Sequence, residues 1–150
     1  PLYSSELRIT FTNLCEENKA LVKVDRDQLM QVVHNLIQNA QDAIGGNPKG
    51  EIKIICKFVE LGSKNKVRLQ IEDNGPGIQE DLLTKVFEPY TTTKSKGTGL
   101  GLAIVKKIVE ENDAEISLFN KKNNRGQPVG AVATIDFINY FFKENEITYG

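Results

Sequence analysis

The sequence predicts an α/β (α+β) fold, with one mixed, mostly antiparallel sheet and helices on one face. Three observations carry this. Several segments alternate apolar and polar residues with the period of a strand. Two long segments place apolar residues with the period of a helix. Short polar turns join pairs of strands, as antiparallel pairing requires.

The elements follow in order. "ELRITFTN" alternates and reads as a strand, and "ALVKV" as another. Asp25 caps a helix over Arg26 to Ile44 that stops at Gly45-Gly46. "EIKIICKFVE" and "KVRLQIED" form a hairpin around Gly-Ser-Lys-Asn. "NGPGI" is a loop, and Gln79 to Val86 a short helix. "EPYTTTKSKGTG" is long for a compact domain, as lids are. Leu100 to Glu111 is the second long helix, burying Leu102, Ile104, Val105, Ile108 and Val109. "AEISLFNK" and "GAVATIDFI" are the last strands, around a polar turn from Lys121 to Gly126. The tail "NYFFKENEITYG" is ambiguous.

A chain of 150 residues is the size of one domain. It is 39% hydrophobic and 26% charged, as globular proteins are. A net charge of −1 gives no electrostatic case for nucleic acid or an anionic membrane. No apolar run reaches the length of a membrane-crossing helix, and no signal peptide is visible. Cys15 and Cys56 lie far apart in sequence without metal-ligand spacing. They read as small buried residues in a reducing compartment. The chain opens at Pro1 without Met, as an excised domain would.

Three stretches carry chemistry. On the first helix, Leu29, Val32, Val33, Leu36, Ile37, Ala40, Ala43 and Ile44 fall on one arc. Asn35 and Asn39 lie one turn apart at its edge, half-buried. They fit either a solvated flank or neutral carboxamide ligands suited to Mg²⁺. His34, the only histidine, faces water and has no metal-ligand partner in spacing. In "IEDNGPGI", Asp73 ends a strand before Gly75 and Gly77. It fits either a tight turn or an acceptor for an exocyclic amine such as adenine's. In "GTGLG", Gly97, Thr98, Gly99, Leu100, Gly101 and Leu102 lead into the second helix, whose free N–H groups attract phosphate. No strand precedes these glycines and no Gly-Lys-Ser/Thr follows, so neither the Rossmann nor the Walker loop fits. Lys94 and Lys96 fit either solvated loop residues or a closure over phosphates.

Together, in this order and spacing, the motifs are specific. The chain resembles the catalytic ATP-binding domain of bacterial sensor histidine kinases. Gyrase, Hsp90 and MutL share that superfamily and its Bergerat fold. The resemblance covers about Ile9 to Phe137. "NLIQNAQDA" resembles the asparagine box, "DNGPG" the first glycine box, "FEPYTTTK" the phenylalanine box and "GTGLGLAIV" the second glycine box. The wording is most similar to the nitrogen-regulation sensor kinases (NtrB and NtrY-like).

The resemblance implies a two-layer sandwich holding ATP between helices, under a mobile lid. It implies that Asn39 holds Mg²⁺, supported by Asn35, and that Asp73 reads adenine in a pocket shaped by Gly75 and Gly77. Phe87 anchors the lid, Thr93 and Lys94 lie near the γ-phosphate, and Gly97, Thr98, Gly99, Leu100, Gly101 and Leu102 wrap the phosphates. Asn35, Asn39 and Lys94 form the implied catalytic set.

Three departures stand out. Asp42 occupies a position where the family often has Lys or Arg. Asp113 stands where a glycine commonly follows the second helix, and tolerates a left-handed cap better than most residues. Ala131, not Thr, follows Gly130, and Thr134 comes too late for an adenine role.

The implied activity is transfer of the γ-phosphate to a histidine on a separate helical hairpin, expected upstream of Pro1. The implied partners are that hairpin domain and a response regulator, with no nucleic acid and a homodimeric parent. The implied location is cytoplasmic, with an inner-membrane-anchored parent. A gyrase- or MutL-like ATPase is the alternative, but it places a glutamate where Asn35 stands, and a carboxamide cannot take a proton from water. A non-enzymatic nucleotide sensor is the third reading.

Overall fold

The computed structural model describes residues 7–15, 19–62, 64–89 and 101–141. The chain runs β1 (Arg8–Asn13), α1 (Arg26–Ile44), β2 (Glu51–Leu61), β3 (Lys64–Asp73), α2 (Glu80–Leu83), α3 (Gly101–Glu111), β4 (Glu115–Lys122) and β5 (Pro128–Ile138). The five strands form one sheet in the order β1-β2-β3-β5-β4. Only the β1–β2 pair is parallel, and α1 makes the crossover between them. The other pairs are antiparallel, as expected.

Register fixes which side chains meet the helices. Ile54 pairs with Ile71, Leu69 with Ile135, and Ile116 with Ile135. These residues pack with Val32, Leu36, Ala40 and Ile44 of α1 and Val105, Ile108 and Val109 of α3 in one core. The opposite face is mixed, with Lys53, Arg68, Glu72 and Asp136 beside Ile55, Phe119 and Val132. There Arg68 makes a two-pronged ion pair with Asp136, at 2.7 and 2.9 Å. Thr134 faces this side too, since it pairs with Gln70 while Asp73 shares the helix side with Ile71.

The local chemistry explains the helix limits. Asp25 accepts from the Gln28 N–H at 2.9 Å, capping α1. Gly45 ends the helix with φ +61°. Asp113 takes φ 57° after α3, the left-handed cap that an aspartate tolerates. The neighbouring Asn112 joins the two long helices: its Nδ2 donates to Gln28 Oε1 at 3.0 Å, and its Oδ1 accepts from the Asp25 N–H at 3.3 Å.

Four expectations need correction. "ALVKV" belongs to no strand. Its backbone partners lie off the ladder: Leu21 N–H donates to Asn139 Oδ1, and Leu21 O accepts from Tyr140 N–H. The β2–β3 turn is tighter than Gly-Ser-Lys-Asn, because Lys64 already pairs with Leu61 and Gly62 supplies φ +67°. Ile104 is 38% exposed, not buried. It lies about 40° outside the arc that Ile108 bounds, at 100° per residue. Cys15 and Cys56, distant in sequence, lie 3.7 Å apart at sulfur and are half-buried.

Candidate functional site

Asp73 is the centre of the site. It ends β3 on the helix side and is only 8% exposed. Its Oδ1 accepts from the N–H of Gly75 at 2.9 Å and of Ala131 at 3.2 Å. Its Oδ2 has no hydrogen bond among the described residues. Burial raises the carboxyl's pKa above its ordinary value, and the two backbone hydrogen bonds pull it back less strongly. One oxygen is thus fixed, and the other is left for a donor.

The surrounding glycines make room for this. A Cβ on Gly130 would overlap the Asp73 carbonyl oxygen, so only glycine lets β5 enter here. Gly77 has φ +81°, and a Cβ there would lie 2.9 Å from both Asn120 Oδ1 and Pro128 Cβ. A Cβ on Gly75 would lie 3.0 Å from the carbonyl oxygen of Ala43. The loop after Asp73 therefore rests on α1.

That contact brings the asparagines into register with the loop. Asn35, Asn39 and Ala43 form one row on α1 at four-residue spacing. Asn35 and Asn39 are half-buried, as their position at the arc's edge predicts, and His34 is exposed. Asp42 is exposed and accepts from Gln38 Nε2 on its own helix at 3.2 Å.

The other side of the site is α3. Gly101 opens this helix, and a Cβ there would meet nothing within 4 Å. Leu102 packs on the core from the first turn. Phe87 is half-buried, and Lys106 of α3 places Nζ 5.5 Å from its ring centre. This contact ties the start of the expected lid to α3. Thr93, Lys94, Lys96, Gly97, Thr98, Gly99 and Leu100 lie outside the described residues.

Three contributors escaped the sequence reading. Asn74 Oδ1 accepts from Glu51 N–H at 2.7 Å, and its Nδ2 donates to Lys49 O at 2.8 Å. Asn120 accepts from Ile78 N–H at 2.8 Å and donates to Ile78 O at 2.6 Å, clasping the glycine loop to β4. Ala131 acts through its backbone, so the missing Thr hydroxyl does not remove that contact to Asp73. The Asn-Gly dipeptide hinted at Asn74 only as a turn residue. Asn120 had no local signal, because its partner lies 42 positions away.

Comparison with known proteins identifies the family. The model for "Histidine kinase-, DNA gyrase B-, and HSP90-like ATPase" matches residues 24–138. The sensory histidine kinase/phosphatase NtrB of Rhizobium leguminosarum bv. phaseoli is 39% identical over 127 residues, which are 78% of this chain and 33% of that protein. The chain thus spans about a third of that relative's length. The catalytic domain of histidine kinase ThkA, in a nucleotide-free form, superposes with a TM-score of 0.71 at 35% identity, covering 89% of this chain and 80% of that one. ThkA in complex with response regulator protein TrrA gives a TM-score of 0.65 at 31% identity, covering 91% of this chain and 35% of that one. With its fold, its buried Asp73 and its glycine-lined loop, the chain belongs to the family of histidine kinase-, DNA gyrase B- and HSP90-like ATPases, and resembles the sensor kinases within it.

Proposed function

We propose that this chain binds Mg-ATP and supplies the γ-phosphate to a histidine on a separate helical-hairpin domain of a two-component sensor kinase. The observation that carries the reading is Asp73, whose Oδ1 is held by two N–H groups while Oδ2 remains for a donor. An exocyclic adenine amine suits that oxygen. A base with a carbonyl at the same place would leave the carboxylate unpaired and repelled.

The carboxamide row on α1 fits a magnesium site. Mg²⁺ takes few protein ligands beside phosphate oxygens, and a neutral carboxamide adds no competing charge. Asn39 would hold the ion and Asn35 would support it. When bound, the ion neutralises charge on the phosphates. Gly101 and Leu102 offer first-turn N–H groups of α3 to phosphate oxygens. Thr93, Lys94, Gly97, Thr98, Gly99 and Leu100 complete the phosphate side in this reading. Phosphoryl transfer then rests on positioning and electrostatics, and the acceptor histidine is itself a good nucleophile. Asn35 supplies no base for water, which favours transfer over hydrolysis.

The proposed partners are the phosphoacceptor hairpin of the parent, a homodimer, and a response regulator, as ThkA has in TrrA. Among the described residues no helix is long and apolar enough to cross a membrane. Anchoring of the parent at the inner membrane, with this domain in the cytoplasm, is part of the same proposal. Titration calorimetry tests the base reading. Mg-ATP should bind, and Mg-ITP, with a carbonyl in place of the amine, should bind at least about 100-fold more weakly. Equal affinities would remove Asp73 from the base pocket.

A further inference from the structure

Away from the nucleotide site, two thiols meet. Cys15 and Cys56 are 41 positions apart in the chain, yet their Sγ atoms are 3.7 Å apart. The end of β1 makes this juxtaposition. Asn13 pairs with Cys56 in the parallel ladder, and Leu14 N–H donates to the Cys56 carbonyl at 2.7 Å. Asn13 Oδ1 then accepts from Cys15 N–H at 3.0 Å, turning the chain so that Cys15 lies beside its partner. Both residues are half-buried, so neither is sealed from a small oxidant.

We propose that Cys15 and Cys56 form a reversible oxidation site that closes to a disulfide and staples β1 onto β2. Among the described residues β1 pairs on one side only, and it is exposed along its whole length, with Ile9 at 48% and Phe11 at 65%. A disulfide bond is about 2.0 Å long, so side-chain rotation must close the remaining gap.

The co-reactant is a hydroperoxide. The sulfur of Cys15 takes an oxygen, the O–O bond breaks, and the other oxygen leaves as water or an alcohol with the Cys15 proton. The sulfur of Cys56 then attacks the Cys15 sulfenic acid. The S–O bond breaks, and the hydroxyl departs as water with the Cys56 proton. In sum the two thiols lose two electrons and two protons, and the peroxide gains them. Burial, followed by the hydrogen bond with Cys15, pushes the Cys56 thiol up to about 11. A thiol so raised is a poor first target for the oxidant, which leaves it the resolving role beside Cys15.

The ring so closed contains all of α1. Constraining it in the unfolded chain should raise the melting temperature by roughly 10 °C. The test treats the purified chain, without nucleotide, with hydrogen peroxide. We expect both thiols to disappear together, a mass loss of about 2 Da, a Cys15–Cys56 linked peptide within the monomer, and reversal by dithiothreitol. The rise in melting temperature should be absent in Cys15→Ala and in Cys56→Ala. Failure to find the linked peptide overturns the proposal, and so does an equal rise in either single variant.

Discussion

Replacing Asp73 by asparagine should separate folding from base recognition. The amide oxygen can still accept from Gly75 and Ala131, the two N–H groups that hold Oδ1. The amide nitrogen then takes the place of Oδ2 and opposes a donor with a donor. Losing a charge-assisted hydrogen bond and creating that clash should cost about 3–4 kcal/mol, or roughly 150- to 1000-fold in Kd for Mg-ATP. The fold should not suffer, because burial disfavours the carboxylate and the amide carries no charge. The pH dependence has a definite sign. Asp73 holds its proton more tightly folded than unfolded, so its contribution is fully present below the ordinary value of 3.8. That contribution is lost as pH rises through the raised folded value. The variant's advantage in melting temperature should therefore grow over that rise and level off above it. Calorimetry with Mg-ATP and thermal melts across pH read both effects. A Kd within threefold of the parent, or a variant that melts well below it at neutral pH, would refute the reasoning.

Other changes probe the walls of the site. Gly130→Ala drives a Cβ into the Asp73 carbonyl oxygen and should cost about 3 kcal/mol or more in urea unfolding. Asn120→Ala removes both hydrogen bonds to Ile78 and should cost about 1–3 kcal/mol, with a fall in Mg-ATP affinity from the loosened glycine loop. Asn39→Ala should erase most of the difference in nucleotide affinity between magnesium and EDTA, measured by titration. Equal metal dependence in parent and variant would place the ion elsewhere.

Helix limits were legible in the sequence because caps are local. Asp25, Gly45 and Asp113 each act within a turn of their own position. The alternation of β2, β3, β4 and β5 was legible for the same reason. "ALVKV" misled because alternation states only that one side of a segment is apolar. Whether a ladder forms depends on what lies alongside, and here that is Asn139 and Tyr140, more than a hundred positions away. Asp73, Gly75 and Gly77 stood out by type and order, and the structure gathers them into one loop beside α1. The fixing of Asp73 by Ala131, the clasp of Asn120 on Ile78 and the meeting of Cys15 with Cys56 are products of strand pairing, and no local pattern encodes them.

The central claim is that the chain moves the γ-phosphate to a histidine and not to water. The direct measurement is a single-turnover reaction with γ-labelled Mg-ATP and a purified phosphoacceptor hairpin from the parent kinase. The account predicts label on the hairpin's histidine, labile to acid and stable to base, with none on this chain and little free phosphate. Free phosphate released at the same rate without the hairpin, and no label on the hairpin, would contradict it.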